Sequence, residues 1–412
     1  MIMNYDAIII GGGASGLTCA IQLKRLNSSL SVLILERLSR VGKKIAVTGN
    51  GRCNISNKDL YINRYHGENP EFCRFALSNY GTAFCTDFFY SLGVPFISEA
   101  DKLFPASLQA SSVVDALRFE CDRLGVEIRL DTLVTDIKRD NSKYSVKTTD
   151  QTFICKNLVA AGGLLSGGEK LGCDGGLLSI IKKMGVKTVE TTPSIVQIKT
   201  ETDIVKQLKG IKVDANVTLK CDGKKIRTEF GETLFCDYGL SGPPVLQISR
   251  GVAKNKNKAI TLSLDILPET SFNDLILMLN DRKKILSYRT ADEFFTGMLN
   301  KRLGQVLLKI SGFKMNEKVC DFDSPRLKKL CSNIKNFEFK VTGTGGFINS
   351  QATAGGLNTD EFNDSTMMSK GFKNLYAIGE ILDIDGDCGG FNLAWAFASA
   401  FCAANSIAGD NK

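Results

Sequence analysis

A single histidine, His66, stands among 412 residues, and that scarcity restricts the chemistry first. A Ser-His-Asp triad or a multi-histidine metal site must use it or be absent. Its flanks, Asn-Arg-Tyr-His-Gly-Glu-Asn-Pro, read as a polar surface loop. No Cys-x-x-Cys pair occurs among the 13 cysteines, which excludes the usual zinc spacings and leaves no disulfide framework. Reduced thiols point to a cytoplasmic protein. No run of five like charges occurs, and 52 basic against 44 acidic residues leave only +8. That excess argues for neither nucleic acid nor a membrane as partner, so a small molecule is expected. No apolar stretch reaches about 18 residues, so no membrane span is expected. The opening Met-Ile-Met-Asn-Tyr-Asp lacks the cationic start of a secretory signal.

What is present suits a folded chain. Hydrophobic residues make up 43% and charged residues 23%, enough core for two or three domains and too balanced for disorder or a coiled-coil rod. There are no internal repeats or low-complexity tracts.

Residues 5–36 carry the clearest motif. Tyr5 to Ile10 read as a buried strand. Gly11-Gly12-Gly13-Ala14-Ser15-Gly16 then fits G-x-G-x-x-G, with a helix after it through Leu17, Ala20, Ile21 and Leu23. A second strand, Ser31 to Leu35, ends in Glu36. This is the complete dinucleotide-binding βαβ fingerprint. Gly11 permits the turn, Gly13 lets a pyrophosphate approach the backbone, and Gly16 lets the helix pack on the strand. Free N–H groups and the helix dipole attract the diphosphate. Glu36 accepts from a ribose and repels a 2′-phosphate, which disfavours NADP here. The fingerprint does not separate NAD from FAD. No second complete motif exists, because Ile348 stands where Gly343-Thr344-Gly345 needs its third glycine. One nucleotide domain with a long extra chain suits a tightly held flavin better than a simple dehydrogenase.

Three further glycine-rich turns are candidates for the same ligand. Thr48-Gly49-Asn50-Gly51-Arg52-Cys53-Asn54, preceded by Lys43 and Lys44, offers backbone N–H groups, cations and amides to a flavin edge or its diphosphate. Cys53 has no cysteine close in sequence and reads as an ordinary small residue. Ala160-Ala161-Gly162-Gly163 ends a strand that follows a small antiparallel sheet, with further strands at Val126–Leu130 and Thr132–Ile137. Leu375 to Ile378 read as a short strand leading into Gly379-Glu380, Asp383, Asp385, Asp387 and Gly389-Gly390-Phe391-Asn392. A helix follows with Leu393, Ala396, Phe397, Ala400, Phe401 and Ala404 on one face. The three aspartates lack the rest of a calcium loop, so no metal is assigned.

From about Thr191 to Val341 the pattern changes. Val213 to Cys221, Leu262 to Ile266 and Phe337 to Val341 alternate as antiparallel strands. Residues 271–335 carry helical spacing, as in Leu275, Met278 and Leu279. Phe235 to Pro244 form a distinctive loop, either a pocket cover or a rigid turn.

These markers together resemble the BaiN-like flavoproteins, the aminoacetone-oxidase-like NAD(P)/FAD-dependent oxidoreductases, over essentially the whole chain. The shared residues are Gly11 to Gly16, Gly42-Lys43-Lys44, Thr48 to Asn54, Phe104-Pro105, Gly239 to Pro243, Gly379-Glu380 with Asp383, and Gly389 to Leu393. The resemblance implies an α/β fold: a Rossmann-like FAD-binding domain of the glutathione-reductase type, with an inserted antiparallel β domain carrying a small helical subdomain. The expected boundaries are 1–190 and 342–412 for the FAD domain and 191–341 for a barrel-like insert, its helical part about 268–335. It implies FAD contacts at Gly11, Gly13, Ala14, Ser15, Gly16, Glu36, Arg37, Lys44, Asn50, Gly51, Arg52, Cys53, Asn54, Val134, Ala161, Gly162, Gly163, Gly379, Glu380, Asp383, Gly390, Phe391, Asn392 and Leu393. Two departures stand out. The family's Tyr-Pro and Gly-Ser-Thr-Gly-Asp-Gly pattern is replaced by Leu165 to Gly175, and Asp237 stands where members often carry histidine. Both are expected near substrate-facing loops. The implied activity is NAD(P)H-driven reduction of a C=C bond conjugated to a ketone, with 3-dehydro-bile-acid or steroid-like enones as the family example. Oxidation of a small amine by oxygen is the alternative, and a flavin-binding regulator without turnover is the third. No catalytic acid or base is identified.

Overall fold

The computed structural model describes residues 3–140 and 142–409. They form two units: Met1–Ser194 with Phe347–Lys412, and Ile195–Gly346. The dividing points lie a few residues beyond the expected 190 and 341.

The first unit is built on a sheet whose centre the first residues specify. Strand β1 (Met3–Ile10) leads through the glycine turn into helix α1 (Ala14–Leu26) and strand β2 (Val32–Leu35). Ala7 to Ile10 and all of β2 are buried, the uninterrupted apolar pattern of a parallel strand covered on both faces. Strands β3 (Glu127–Arg129), β4 (Val134–Asp140), β5 (Lys143–Thr148) and β6 (Thr152–Ala160) complete the order β3-β2-β1-β6-β5-β4. β1 runs parallel to both β2 and β6, with Ile10 opposite Leu35 and Ala160. The pair β4 and β5 is antiparallel, as their alternation indicates.

The second unit closes on itself. Strands β7 (Ile198–Thr200), β8 (Lys212–Cys221), β9 (Lys224–Phe235), β10 (Gly239–Ser241), β11 (Ile260–Asp265) and β12 (Phe337–Thr344) form a closed barrel in the order β7-β10-β9-β8-β11-β12. Ala215, Val217 and Leu219 fill its interior. Helix α2 (Pro243–Lys254) packs against β9. Helices α3 (Phe272–Ile285), α4 (Lys301–Ser311) and α5 (Ser324–Lys335) make the helical subdomain. The segment Phe235–Pro244 contains β10 and the start of α2, and a Cβ at Gly242 between them would meet the Glu232 carbonyl oxygen at 2.2 Å. Asp237 is half exposed there and pairs with Lys209 at 2.7 Å.

The C-terminal segment returns to the first unit. Strand β13 (Leu375–Ala377) pairs in parallel with β6, Ala160 opposite Ala377. Helix α6 (Phe391–Gly409) is long and apolar enough to cross a membrane, yet 78% of its apolar window is buried within the protein. Trp395, Phe397, Phe401 and Ile407 are its core contacts, so here the apolar run is a core helix.

Candidate functional site

The three motif glycines face three different surroundings. Gly11 has φ +113°, and a Cβ on it would lie 2.6 Å from the Ala161 carbonyl oxygen. A Cβ on Gly16 would sit 1.9 Å from the Gly11 oxygen. Gly13 has no atom within 4 Å of its Cβ position. The turn and the packing glycines are therefore filled by the protein itself, while the middle glycine opens onto free space. That space lies at the start of α1, which has neither a side-chain cap nor an acidic residue in its first turn. Its first N–H groups are left for a ligand, where an anion is favoured.

This space belongs to a cleft lined by the glycine turn, much of residues 35–48 and residues 161–163. Its lining includes Glu36 and Arg37. Glu36 is buried, and its two oxygens accept from the N–H groups of Gly12 (2.8 Å) and Leu38 (2.9 Å). Burial pushes its carboxyl above the usual glutamate value, opposed by those two N–H donors. Each oxygen keeps a lone pair for a further donor. Arg37 pairs with Asp174. Residues 171–177 form the wall here, and a Cβ at Gly172 would meet Leu38. Of the departing segment Leu165 to Gly175, residues 171–175 line this cleft.

Lys44, Glu380, Asn392, Leu393 and Ala396 line the same cleft. The Lys44 ammonium pairs with Glu380 and donates to Ser166. Ser166 Oγ donates to Glu380 Oε1 at 2.7 Å, and that oxygen also accepts the Thr353 N–H at 2.8 Å. Thr353 Oγ1 accepts the N–H of Ser166 at 2.9 Å. Burial pulls the Lys44 pKa down, but the negative charge of Glu380 and the neighbouring Cys173 more than offset it. Lys44 therefore stands above the usual lysine value and stays charged.

The cleft brings together Gly11, Gly13, Ala14, Ser15, Glu36, Arg37, Lys44, Val134, Ala161, Gly162, Gly163, Glu380, Asn392 and Leu393 among the expected contacts. It does not include Gly16, Asn50, Gly51, Arg52, Cys53, Asn54, Gly379, Asp383, Gly390 or Phe391 in its lining, and each has a physical reason or a different partner. Asp383 is buried because its oxygens accept from the N–H groups of Glu68 (2.8 Å) and Gly355 (3.1 Å). Gly379 packs on Ser15, where a Cβ would lie 2.8 Å from Oγ. Arg52 is directed to Glu99 at 2.8 Å and lies over the Phe104 ring. Gly51 and Asn50 wind the tight turn between them at φ +82° and +56°. Cys53 is fully buried, its thiol pushed up to about 11 by that burial. Asn54 Oδ1 is buried without a partner, 2.8 Å from the Cβ position of Gly390. Phe391 is buried against Tyr65 in an edge contact. His66 is half-buried rather than freely exposed, its Nε2 2.7 Å from Asp387 Oδ1. Sequence reasoning missed Ser166, Thr353 and the 171–177 wall, none of which carries a local pattern. Gly42 and Lys43 of the quoted motif also line the cleft, and their place beside Lys44 was the available signal. Among the described residues no cluster of three metal-ligating side chains occurs.

Comparison with known proteins adds the following. The family model described as HI0933-like protein Rossmann domain matches residues 5–406. The 3-dehydro-bile acid delta(4,6)-reductase of Clostridium scindens is 34% identical over 403 residues, 97% of this chain and 98% of that protein. The ribosomal RNA dihydrouridine synthase of Haemophilus influenzae is 31% identical over 415 residues, 99% of each chain. The solved structure of a 3-ketosteroid delta1-dehydrogenase from Sterolibacterium denitrificans, in complex with 1,4-androstadiene-3,17-dione, aligns with a TM-score of 0.52 at 14% identity. That alignment covers 99% of this chain and 100% of that one, a likeness of fold.

Proposed function

The chain belongs to the HI0933-like family of Rossmann flavoprotein oxidoreductases, and from that premise we propose that it holds FAD and uses NAD(P)H to reduce a C=C bond conjugated to a carbonyl. The observation that carries this reading is the open cradle at Gly13, part of a cleft that a charged Lys44 also lines. The residues fit the cofactor: the start of α1 takes the diphosphate, Glu36 accepts ribose hydroxyls, and Ala161 to Gly163 give the dinucleotide a wall without bulky side chains. When bound, FAD supplies two-electron hydride chemistry. The protein's own share is positioning and electrostatics. Glu380 anchors Lys44 through the Ser166–Thr353 network, so the ammonium is fixed before a ligand arrives and would hold an anionic or carbonyl oxygen of what binds there.

The names of both curated relatives denote saturation of such a bond, since dihydrouridine is uridine reduced at a double bond conjugated to a carbonyl. The preferred substrate class is therefore an enone, with steroid-like enones first. A second reading keeps the bond and changes its carrier to uracil in RNA; the positive charge of residues 195–346, set out below, favours it.

Anaerobic titration of the yellow holoprotein decides the electron partner. Rapid bleaching by NADH or NADPH, with colour restored by an enone, is the expected result. Bleaching only by small amines, with peroxide formed on re-aeration, sinks the reductase reading in favour of amine oxidation.

A further inference from the structure

The net charge of +8 is not spread over the chain. Ile195–Gly346 contains 26 of the 52 basic residues but only 17 of the 44 acidic ones, a net charge of +9. The rest of the chain carries 26 basic and 27 acidic residues, a net charge of −1. All of the excess therefore belongs to the barrel unit.

Within that unit, residues 268–335 carry 13 basic and 8 acidic residues, a net +5, while the barrel residues 195–267 and 336–346 carry 13 and 9, a net +4; four of the barrel's lysines stand together at one end of it. The turn between β8 and β9 places Lys224 opposite Cys221 and Lys225 opposite Lys220. The segment entering β11 is tied to the same turn: the Asp222 N–H donates to the Ala259 carbonyl at 2.8 Å, and the Ala259 N–H donates to Asp222 Oδ1 at 3.1 Å. Lys224, Lys225, Lys254 and Lys258 are exposed and make no ion pair among the described residues. Lys220 differs, being paired with Glu338 at 2.8 Å. The outward rows of β8 and β9 lead away from this end through the pairs Thr218–Thr228 and Asn216–Phe230. Phe230 is 61% exposed, and Ile226 beside Lys225 is 51% exposed.

Uncompensated cations repel one another, and an exposed ring on a sheet face gains nothing from folding. A ligand with regularly spaced negative charges and flat faces satisfies both features at once. Unpaired nucleic acid is such a ligand, phosphates meeting the lysines and a base stacking on the ring. We propose that this end of the barrel docks unpaired RNA. The choice of RNA rests on the second reading above, while the cationic surface stands on the charges alone.

The test is fluorescence anisotropy of the holoprotein with a fluorescein-labelled, uridine-rich RNA 20-mer. Raising salt from 50 to 200 mM should weaken binding about 50-fold, for four phosphate contacts at a single-strand slope of about 0.7 each. The triple reversal Lys224→Glu, Lys225→Glu, Lys258→Glu should lower affinity at least 30-fold. Phe230→Ala should lower it about tenfold with the salt slope unchanged. Flavin absorbance and melting temperature should not move in either variant, since all four residues are exposed. The reversal Lys138→Glu, Lys182→Glu, Lys183→Glu, on the other unit, controls for bulk charge. The proposal is overturned if the wild type does not bind at 50 mM salt, if the control reversal weakens binding equally, or if the protein instead sediments with phosphatidylglycerol vesicles. Dihydrouridine analysis of the same RNA separates the two ideas. Docking without product refutes uracil as substrate and leaves the surface standing; product formed by a triple variant of unchanged affinity refutes the surface alone.

Discussion

Substituting alanine at Gly13 and at Gly16 separates a residue that serves a ligand from one that serves the fold. At Gly13 the backbone is φ −89°, ψ −164°, open to any residue, and the added methyl meets nothing within 4 Å. The only folding cost is that of alanine at an N-cap, at most about 1 kcal/mol, or about 2–4 °C in a domain of this size. The same methyl occupies the space over the first N–H groups of α1. A diphosphate oxygen seated there is pushed off by a few tenths of an ångström and loses about two charge-assisted hydrogen bonds, each worth about 1.5–3 kcal/mol. FAD affinity should fall about 10²–10⁴-fold. At Gly16 the new Cβ would stand 1.9 Å from a backbone oxygen that cannot swing away. Overpacking of this kind costs about 3 kcal/mol or more, so the apoprotein itself should melt about 10 °C lower. The assay is a thermal melt of apoprotein beside quenching of FAD fluorescence on rebinding. Gly13→Ala with wild-type affinity, or with an apoprotein as destabilised as Gly16→Ala, would refute the reasoning.

Three further outcomes follow from the site and the fold. Lys44→Met and Glu380→Gln should each destabilise the apoprotein by about 1–3 kcal/mol in urea titrations, and the double variant by clearly less than their sum, because each single change strands a partly buried partner; additive losses would show that the pair is not coupled. Burial raises the Glu36 pKa in the apoprotein, so its ionised form is disfavoured in the fold and apoprotein stability falls as pH rises through the raised value. Ribose hydroxyls donate to the ionised form, so FAD affinity should rise with pH up to the raised apoprotein value and level off above it; Glu36→Gln should bind with a flat profile in the same titration. Excised residues 195–346 should give a cooperative melt by circular dichroism, because their end strands pair with each other, Ile198 opposite Thr344. Residues 1–194 alone should not, lacking β13 and α6.

The fingerprint was legible because it is local. Strand, turn, helix and acidic end all lie within about thirty residues, and each glycine has a steric reason that survives without tertiary context. The alternation in β8 and β12 was legible for the same reason, since one face of each strand is wet; in β11 the polar face is partly covered, with Ser263 buried against Asn336. The Lys44 network was not. Its members come from positions 44, 166, 353 and 380, and nothing in the short segment around Ser166 or Thr353 marks a hydroxyl that will meet a carboxylate. Asp383 shows the limit of a local reading from another side: the sequence places a carboxylate after a glycine turn, but only the fold brings the N–H groups of Glu68 and Gly355 onto its two oxygens. The charge of the barrel unit was hidden by averaging: a chain-wide +8 says little until the fold divides it.

The two charged groups of the cleft suit different parts of a dinucleotide. Glu36 is an acceptor held by backbone donors, so it suits hydroxyl groups and opposes phosphate. Lys44 is a donor held charged by Glu380, so it suits a carbonyl or an anionic oxygen. The adenosine ribose therefore belongs at Glu36 and the diphosphate at the start of α1. A ring placed against Glu36 instead would set its apolar and amide edges on a buried carboxylate whose desolvation nothing new would offset. Cys173 lies within electrostatic reach of Glu36, Lys44 and Glu380, so the 171–177 wall joins the two groups, and substitutions in it should change cofactor affinity through both.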